Sequence, residues 1–272
     1  MSCFKIYYKS IQFIRIFSLF GQIKMEPFQT IQINHINDEQ IKAKQMAVTT
    51  EFLLKICIDN YFLDELMRTP GDEKAHVVGL LNSYQMISSI DDLKSFSITT
   101  SDNFDTATVS LKHPFSFSLL NKKYSSDPIT KIPIDKPLTY GEVHTCIDDL
   151  RNCQPLRSRT KSTHAAILFD KDLTRLASKE DIGRHNALDK VIGQTMLDQT
   201  IDKASILVLS SRVSHELMIK IIQTPVRYIL SVSRPTSLAV ELAHQHSIHL
   251  ACLSKKGGIL VFNGMHGFCK RK

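Results

Sequence analysis

The chain has 272 residues, of which 43% are hydrophobic and 22% are charged. This balance excludes an intrinsically disordered chain and is sufficient for a substantial core, in one large domain or two small ones. The formal net charge of +7 favours a polyanionic partner, such as nucleic acid, a phosphate-bearing cofactor or an acidic protein surface.

The first 48 residues are predicted to be an N-terminal extension outside the fold. Within them, residues 4–20 are apolar and aromatic, but three basic residues interrupt the run. These charges argue against a membrane-spanning helix, and the residues that follow offer no signal-peptide cleavage site. Three interpretations stay open: a true translation start at Met25, an additional ordered helix, or an amphipathic segment that lies on a surface.

Residues 49–112 are predicted to form a small α+β domain. The strand-like runs 52–58 and 62–66 flank Asp59-Asn60, a pair typical of a tight hairpin turn. The other elements predicted here are a helix that starts at Thr69 or Asp72 and ends near Met86, and strands at 96–99 and 106–111.

The stretch 113–137 is predicted to be a mobile loop. It has no clean hydrophobic periodicity and contains four prolines among serine, asparagine, lysine and aspartate. A loop of this length in a compact protein is either a linker or functional. Helical periodicity resumes at Leu138 and continues to about Cys153.

From residue 138 to residue 272, apolar strands alternate with amphipathic helices. Strands are expected at 164–169, 204–209, 228–232, 248–253 and 259–262, and helices near 178–193, at 213–223 and from Pro235. This alternation is typical of an α/β core, a mostly parallel or mixed sheet with helices on both faces. Ligands of such sheets bind beyond the carboxyl ends of the strands. The loops expected there are Lys171–Gly183, Ser210–Ser214, Ser233–Thr236 and Ser254–Gly258.

The stretch Ser178–Gly193 combines helix-forming and reactive residues. Ser178 and Asp181 form the Ser-x-x-acid pattern that caps a helix, and apolar residues recur behind them at helical spacing. A helix with one buried face is therefore expected to begin near Ser178. Packing does not require the polar residues crowded at its start, where helix N–H groups favour an anion. These residues are Asp181, Gly183, Arg184, His185, Asn186 and Asp189.

The predicted loops carry groups suited to phosphate. Ser210-Ser211-Arg212 and Ser233-Arg234-Pro235-Thr236 each combine hydroxyls with a guanidinium at a strand-to-helix turn. The alternative is that the hydroxyls only cap helices and the arginines only interact with solvent. Lys255-Lys256 before Gly257-Gly258 likewise suits either a phosphate or an ordinary turn.

Several other candidates have equally simple structural explanations. Asp181 and His185 are either an acid/base or anion-binding pair, or an ordinary i,i+4 contact on a helix. His164 opens an apolar strand, where it is either a ligand contact or a histidine satisfied at the edge of the core. Cys146 and Cys153 share a helical face and are either buried thiols or nucleophiles. The six cysteines show no CxxC pair and no metal-ligand spacing, which indicates reduced cytoplasmic thiols rather than a disulfide framework or a metal site.

Five sequence blocks resemble, in order, those of the FdhD/NarQ family of formate dehydrogenase accessory sulfurtransferases. The resemblance covers about residues 52–262, and the central block is the most specific. The blocks are LMRTPGD (66–72), THAA (163–166), EDIGRHNALDKVIG (180–193), SRVSHE (211–216) and PTSLAVELA (235–243).

The resemblance implies a cytidine deaminase-like core, a homodimer and a cytoplasmic role in maturing formate dehydrogenase. Family members take sulfur from a cysteine desulfurase as a persulfide and pass it to the molybdenum bis(guanine dinucleotide) cofactor, which they also bind. No nucleic acid partner is expected from this resemblance. Deaminase catalysis is not implied either, since the zinc ligands of deaminases are missing from the sequence. With the family's cofactor segment placed on Leu253–Gly258, the predicted cofactor contacts are His164, Asp181, Arg184, His185, Arg212, Ser233, Thr236, Leu253, Ser254, Lys255, Lys256, Gly257 and Gly258.

The chain departs from the family at the persulfide loop. Where the family has a CGxCG motif after a Ser-Ser pair, this chain has Asp127 at the persulfide position and Thr130 at that of the second cysteine. Neither oxygen can carry sulfur, because the transfer needs a thiolate that forms and cedes an S–S bond. Other positions have also changed: Lys161-Ser162 replaces a glycine pair, Ser211 a glycine, His215 a serine and Val232 an arginine.

The residues leave three functional hypotheses open. The leading one is an FdhD-type accessory protein that binds the cofactor, with its sulfur transfer impaired or displaced, for example to Cys146 or Cys153. The second is a non-catalytic module that keeps the fold to hold a nucleotide, a desulfurase or the target enzyme. The third is an unrelated nucleotide-acting hydrolase that uses His185 and Asp181.

Overall fold

A computed structural model describes residues 25–113, 136–254 and 256–270. The predictions for residues 1–24, for most of the 113–137 loop including Asp127 and Thr130, and for Lys255 lie outside the described residues. Among the described helices, none is long and apolar enough to cross a membrane.

The described chain begins with a β-hairpin that the sequence pattern does not reveal. Strands β1 (Phe28–Ile36) and β2 (Ile41–Thr49) pair antiparallel over their full lengths. Most of their side chains are exposed on both faces. No alternation of buried and exposed residues therefore marks these strands in the sequence.

Residues 52–111 form a four-stranded sheet and one α-helix, as the predicted α+β pattern requires. The elements are β3 (Phe52–Ile58), β4 (Tyr61–Arg68), α1 (Glu73–Ser83), β5 (Leu93–Thr100) and β6 (Phe104–Leu111). The strand order is β4-β3-β6-β5, with β3 and β6 parallel. Asp59 and Asn60 both have positive φ angles, which confirms the predicted tight turn between β3 and β4.

A six-stranded sheet forms the C-terminal core. The elements from here on are β7 (Leu138–Thr139), α2 (Tyr140–Asn152), α3 (Pro155–Thr160), β8 (His164–Phe169), β9 (Arg175–Asp181), α4 (Arg184–Leu197), β10 (Ile206–Leu209), α5 (His215–Ile222), β11 (Tyr228–Ser231), α6 (Ser237–Gln245), β12 (His249–Leu253), β13 (Ile259–Asn263) and β14 (Phe268–Cys269). The strand order is β13-β12-β11-β10-β8-β9, while β7 and β14 pair separately. Helix α6 begins after Thr236 rather than at Pro235.

The six-stranded sheet is mixed, the second of the two predicted arrangements. Strands β10, β11 and β12 are parallel to one another, whereas β8 and β13 run antiparallel to their neighbours. Since β9 is antiparallel to β8, it runs in the direction of β10. The carboxyl ends of β9, β10, β11 and β12 and the amino ends of β8 and β13 therefore lie together at one edge, called the carboxyl edge below.

The predicted helix start at Ser178 is wrong. Ser178 lies in the middle of β9, opposite Ile167 of β8, and α4 begins only at Arg184, with Gly183 at its N-cap position. The Ser-x-x-acid pattern reflects only a local preference for starting a helix, and here the pairing of β9 with β8 overrides it. Strand β8 is buried, and its free side needs a hydrogen-bonding partner, which β9 supplies.

The prediction of a loop at 171–183 is also wrong, because strand β9 occupies most of this range. The turn between β8 and β9 at 170–174 lies at the edge opposite the carboxyl edge, and the chain then returns as a strand. Only residues 181–183 reach the carboxyl edge.

Helices cover both faces of the sheet, as predicted, and side chains that alternate along the strands enter two hydrophobic clusters. The cluster under α2 includes Ile167 and Val208. The cluster under α4, α5 and α6 includes Leu168 and Leu207, and it continues to Val77 of α1 and the four-stranded sheet. The two sheets therefore share one continuous core.

Helices α1 and α4 cross at a glycine on each helix. A Cβ atom added at Gly79 would lie 1.8 Å from the carbonyl oxygen of Asp189, and one added at Gly193 would lie 1.8 Å from that of Ala75. At such distances the two backbones are in direct contact. The crossing fixes the four-stranded sheet to α4, whose first turn lies at the carboxyl edge.

Helix α3 ends in a left-handed turn at Lys161. This residue has φ 60° and ψ 11° at the C-cap position, where glycine is favoured. Its N–H donates to the carbonyl oxygen of Arg157 at 2.8 Å. On either side, the hydroxyls of Thr160 and Ser162 bond to the hydroxyl of Thr49 at 2.9 and 2.6 Å. The backbone turn is thus held by its neighbours rather than by the Lys161 side chain.

Candidate functional site

The carboxyl edge brings together most of the residues predicted for the site. The loops after β10, β11 and β12 converge there with the end of β9 and the start of β8. The prediction that 210–214, 233–236 and the described part of 254–258 share one edge is confirmed.

His164 lies half-buried at this edge, between the ends of β9 and β10. Its Nδ1 atom is 3.4 Å from Ser210 Oγ, which accepts a hydrogen bond of 2.8 Å from the backbone N–H of Ala165. Burial lowers the pKa of His164, and the guanidinium groups of Arg157 and Arg184 lower it further. The imidazole is therefore neutral at physiological pH and lies near two fixed cations.

Arg157 is a cation of this site that no pattern in the sequence reveals. One of its guanidinium nitrogens donates to the carbonyl oxygen of Thr163 at 2.6 Å. The carboxylate of Glu180 holds the start of α3 in place, accepting 2.8 Å bonds from the N–H groups of Leu156 and Arg157 and a 2.9 Å bond from the Thr163 hydroxyl. Helix α3 is too short to show hydrophobic periodicity. The one indirect indication of Arg157 in the sequence is Glu180 of the central motif, whose carboxylate binds the start of α3.

Asp181 is fully buried and fastens the carboxyl edge to the four-stranded sheet. One carboxylate oxygen accepts bonds from Gly183 N–H at 2.8 Å and from the Asn186 amide at 2.9 Å. The other accepts from Thr69 N–H at 3.0 Å and lies 2.8 Å from the ammonium of Lys190. Each oxygen thus uses both lone pairs within the protein. The geometry gives Asp181 a positioning role and leaves it no free oxygen for the predicted ligand contact.

The predicted Asp181–His185 helical pair is wrong, because Asp181 belongs to β9 and not to α4. His185 lines a different cavity of about 260 Å³, between the four-stranded sheet and α5, together with Glu216 and Lys220. Burial, Lys220 and Arg184 lower the pKa of His185 to about 4. The hydrolase hypothesis therefore loses its acid/base pair.

The loops after β10 and β11 present exposed arginines and internally bonded hydroxyls. Arg212 is exposed, whereas Ser211 is buried and donates to the Arg212 carbonyl at 3.1 Å. The hydroxyl of Ser231 donates to the Ser233 carbonyl at 2.6 Å. Thr236 caps α6 by accepting a 3.4 Å bond from a backbone N–H. The helix-cap alternative thus holds for Thr236, while the Arg212 guanidinium faces solvent.

The chain turns sharply between β12 and β13, just after Leu253. The N–H of Ser254 donates to the Gly258 carbonyl at 3.0 Å, and the N–H of Lys256 donates to the Ser254 hydroxyl at 3.2 Å. Gly257 and Gly258 have φ angles of 86° and 85°, and an added Cβ at either would meet no atom within 4 Å. The glycines therefore serve the turn and leave open space beside its backbone.

Three of the described cysteines, Cys146, Cys153 and Cys252, are poorly placed to replace the missing persulfide thiol. Cys146 is buried in α2, and burial, with nearby carboxylates, raises its pKa to about 12. Cys153 contacts Arg175 at the start of β9, toward the edge opposite the carboxyl edge. Cys252 lies near the carboxyl edge, beside Arg234, but burial raises the pKa of its thiol as well.

The model of the FdhD/NarQ family matches residues 49–268 of the chain. Three curated relatives, each named sulfur carrier protein FdhD, show how far the similarity extends. The protein of Thermoplasma acidophilum is 32% identical over 216 residues, 73% of this chain and 76% of that one. The protein of Nocardia farcinica is 30% identical over 82% of this chain and 88% of that one. The protein of Sulfurisphaera tokodaii is 28% identical over 81% of this chain and 92% of that one.

The fold is also similar to that of a solved structure, described as a formate dehydrogenase accessory protein from Desulfotalea psychrophila. The TM-score is 0.73 at 20% identity, over 89% of this chain and 99% of that chain. At this identity the similarity shows a common fold.

Proposed function

The chain belongs to the FdhD/NarQ family, and we propose that it is an FdhD-type accessory protein of a formate dehydrogenase. In this proposal it binds the molybdenum bis(guanine dinucleotide) cofactor as cargo and supports its sulfuration and delivery. It works as a cytoplasmic homodimer beside a cysteine desulfurase, with the persulfide step itself impaired or moved to another thiol, because Asp127 and Thr130 replace the two cysteines. The observation that carries the proposal is the group of guanidiniums at the carboxyl edge, beside the Gly257-Gly258 turn that leaves open space next to its backbone.

The residues of this edge fit a ligand with pyrophosphate groups. Arg157 and Arg184 flank His164, and Arg212 and Arg234 extend from the neighbouring loops. A guanidinium binds phosphate oxygens through two parallel hydrogen bonds, so several at one edge suit a guanine dinucleotide. The bound cargo supplies the molybdenum to which sulfur is added.

The other groups of the edge orient this ligand. The neutral His164 ring offers one donor and one acceptor, and Ser210 supports it from the adjacent loop. The Gly257-Gly258 turn leaves space where a ligand can approach the backbone. Asp181 and Glu180 stay within the protein and hold the arginine-bearing elements in place.

The sulfur step is the point at which this chain differs from the family's pattern. Asp127 and Thr130 occupy the cysteine positions, and neither side chain forms a persulfide. This observation favours a second candidate function on the same fold: a non-catalytic module that holds the nucleotide or a partner while another thiol carries sulfur.

GDP is expected to bind at the carboxyl edge, because it mimics one guanine diphosphate half of the cargo. Arg212→Ala and Arg184→Ala should each weaken binding at least about tenfold, the effect of losing one charge-assisted hydrogen bond. Isothermal titration calorimetry measures the change.

Arg151→Ala is the matched control for this titration. It removes the same charge from an exposed residue of α2 that pairs only loosely with Asp148, 3.7 Å away. Binding weakened equally by all three substitutions would point to the net charge rather than to a site. Absence of GDP binding by the wild type would leave only the partner-binding form of the second candidate.

Restoring the two cysteines is expected to restore sulfur loading. Asp127→Cys/Thr130→Cys, incubated with a cysteine desulfurase and cysteine, should gain one sulfur atom, because the new thiolate attacks the outer sulfur of the desulfurase persulfide and releases the desulfurase thiolate. Intact-protein mass spectrometry detects the gain.

Asp148→Cys, which adds an exposed thiol elsewhere, is the control and should not load. The wild type should not load either. Sulfur on a native cysteine of the wild type would show that another thiol has taken over the step.

A further inference from the structure

The β1–β2 hairpin, called the arm below (residues 28–49), exposes aliphatic side chains on a two-stranded ribbon. Ile31 and Met46 are each 41% exposed, and Ile36 and Ile41 are each 68% exposed. A two-stranded ribbon is only marginally stable by itself. Exposed aliphatic groups on such a ribbon make the arm a candidate surface for binding a partner.

The base of the arm is fixed to α3. The hydroxyl of Thr49 bonds to those of Thr160 and Ser162, and the guanidinium of Arg159 lies 5.2 Å from the centre of the Phe28 ring. Helix α3 also carries Arg157 to the carboxyl edge. Arg157 and Thr160 are three residues apart, about 5 Å along the helix axis. A protein bound to the arm would therefore lie at the rim of the proposed cargo site.

The register of the arm separates two chemically different faces. Residues paired across the strands share a face, so Ile31 with Met46 and Ile36 with Ile41 lie on opposite faces. The face of Ile31, called the basic face, joins aliphatic groups to cations near the tip and has no acidic residue. Its members are Gln29, Ile31, Ile33, His35, Lys42, Lys44, Met46 and Val48.

We propose that the basic face of the arm docks the formate dehydrogenase that receives the cargo, through an apolar patch of that enzyme flanked by carboxylates. This inference rests on the proposed function, because delivery needs the receiving enzyme beside the cargo site. The aliphatic groups supply the buried centre of such an interface, and the lysines steer and orient an acidic partner.

A second copy of the chain suits this face less well. In a symmetric dimer the same patch lies on both sides of the interface. If the basic face packed on its own copy across the two-fold axis, Lys42 and Lys44 of the two copies would lie together with no acidic residue of that face between them, which costs energy. The charge of the face thus selects a partner of opposite sign.

The test is the affinity of the full chain for formate dehydrogenase from the same organism, measured by biolayer interferometry. Ile31→Gln/Met46→Gln removes one aliphatic cross-strand pair from the basic face and should weaken binding at least about tenfold, as expected for a buried interface centre. Ile36→Gln/Ile41→Gln removes the equivalent pair from the opposite face and should change binding less than about twofold. Lys42→Gln/Lys44→Gln should reduce the salt dependence of binding.

The outcomes separate this inference from the proposed function. Equal effects of the two glutamine pairs, or no effect of either, would overturn docking through the basic face while the dehydrogenase still binds. A basic-face variant that changes only the sedimentation of the chain would assign the face to a second copy instead. No binding of the dehydrogenase by the wild type would overturn both proposals. GDP affinity should stay unchanged in all arm variants, which shows that the site remains folded.

Discussion

Asp181→Asn is expected to lower the free energy of unfolding by about 3–5 kcal/mol, because it leaves the Lys190 ammonium buried without a counter-charge. The side chains of Asp181 and Lys190 are 0% and 1% exposed, and their charged groups lie 2.8 Å apart. The new amide nitrogen also replaces one carboxylate oxygen and so meets donors, either those of Thr69 and Lys190 or those of Gly183 and Asn186. Urea denaturation followed by circular dichroism measures the loss.

Asp72→Asn is the matched control for this prediction. It removes a carboxylate 2.6 Å from the ammonium of Lys179, but both side chains of that pair reach solvent. It should therefore cost less than about 1 kcal/mol. Adding Lys190→Met to Asp181→Asn should recover part of the loss, since no buried charge then remains. Equal costs for the two asparagine variants would refute the buried-charge explanation.

Gly193→Ala is expected to destabilise the protein by about 3 kcal/mol or more, because the added methyl group meets a backbone oxygen that no side-chain rotation can move. The added Cβ would lie 1.8 Å from Ala75 O and 2.6 Å from Gly79 N. Gly79→Ala should behave similarly, since its Cβ meets the same crossing from the other helix. Thermal and urea unfolding measure both effects.

Gly141→Ala is the control, because an added Cβ there meets no atom within 4 Å in the first turn of α2. It should leave stability unchanged or raise it by up to about 1 kcal/mol, through the higher helix propensity of alanine. The double variant Gly79→Ala/Gly193→Ala should cost less than the sum of its parts, since one displacement of the helices relieves both clashes. A Gly193→Ala variant as stable as Gly141→Ala would refute the close crossing.

Apolar runs and helical periodicity predicted the strands that are buried on both faces and the helices that pack against them. Strands β8, β10, β11 and β12 and helices α2 and α5 follow from these patterns to within a few residues, because their apolar side chains must enter one of the two clusters. The turn at Asp59-Asn60 followed from the tolerance of these residues for positive φ.

Hydrophobic periodicity missed the elements whose formation depends on a distant partner strand or leaves both faces exposed. Strand β9 exists because β8 needs a partner, and the arm is exposed on both faces. The central motif indicated the right region of the site, but the roles predicted for Asp181 and His185 were wrong. Asp181 is buried and positions neighbouring residues through its hydrogen bonds. Arg157, which lies outside every motif, is the residue found near His164.

The left-handed turn at Lys161 shows how a residue other than glycine can adopt a conformation that favours glycine. The family resemblance places glycine at this position, and glycine adopts such a conformation without strain. Here lysine adopts it, with φ 60°, because hydrogen bonds from α3 and from Thr49 hold the turn on both sides. A lysine at a position that favours glycine is therefore compatible with this backbone conformation when neighbouring hydrogen bonds hold the turn.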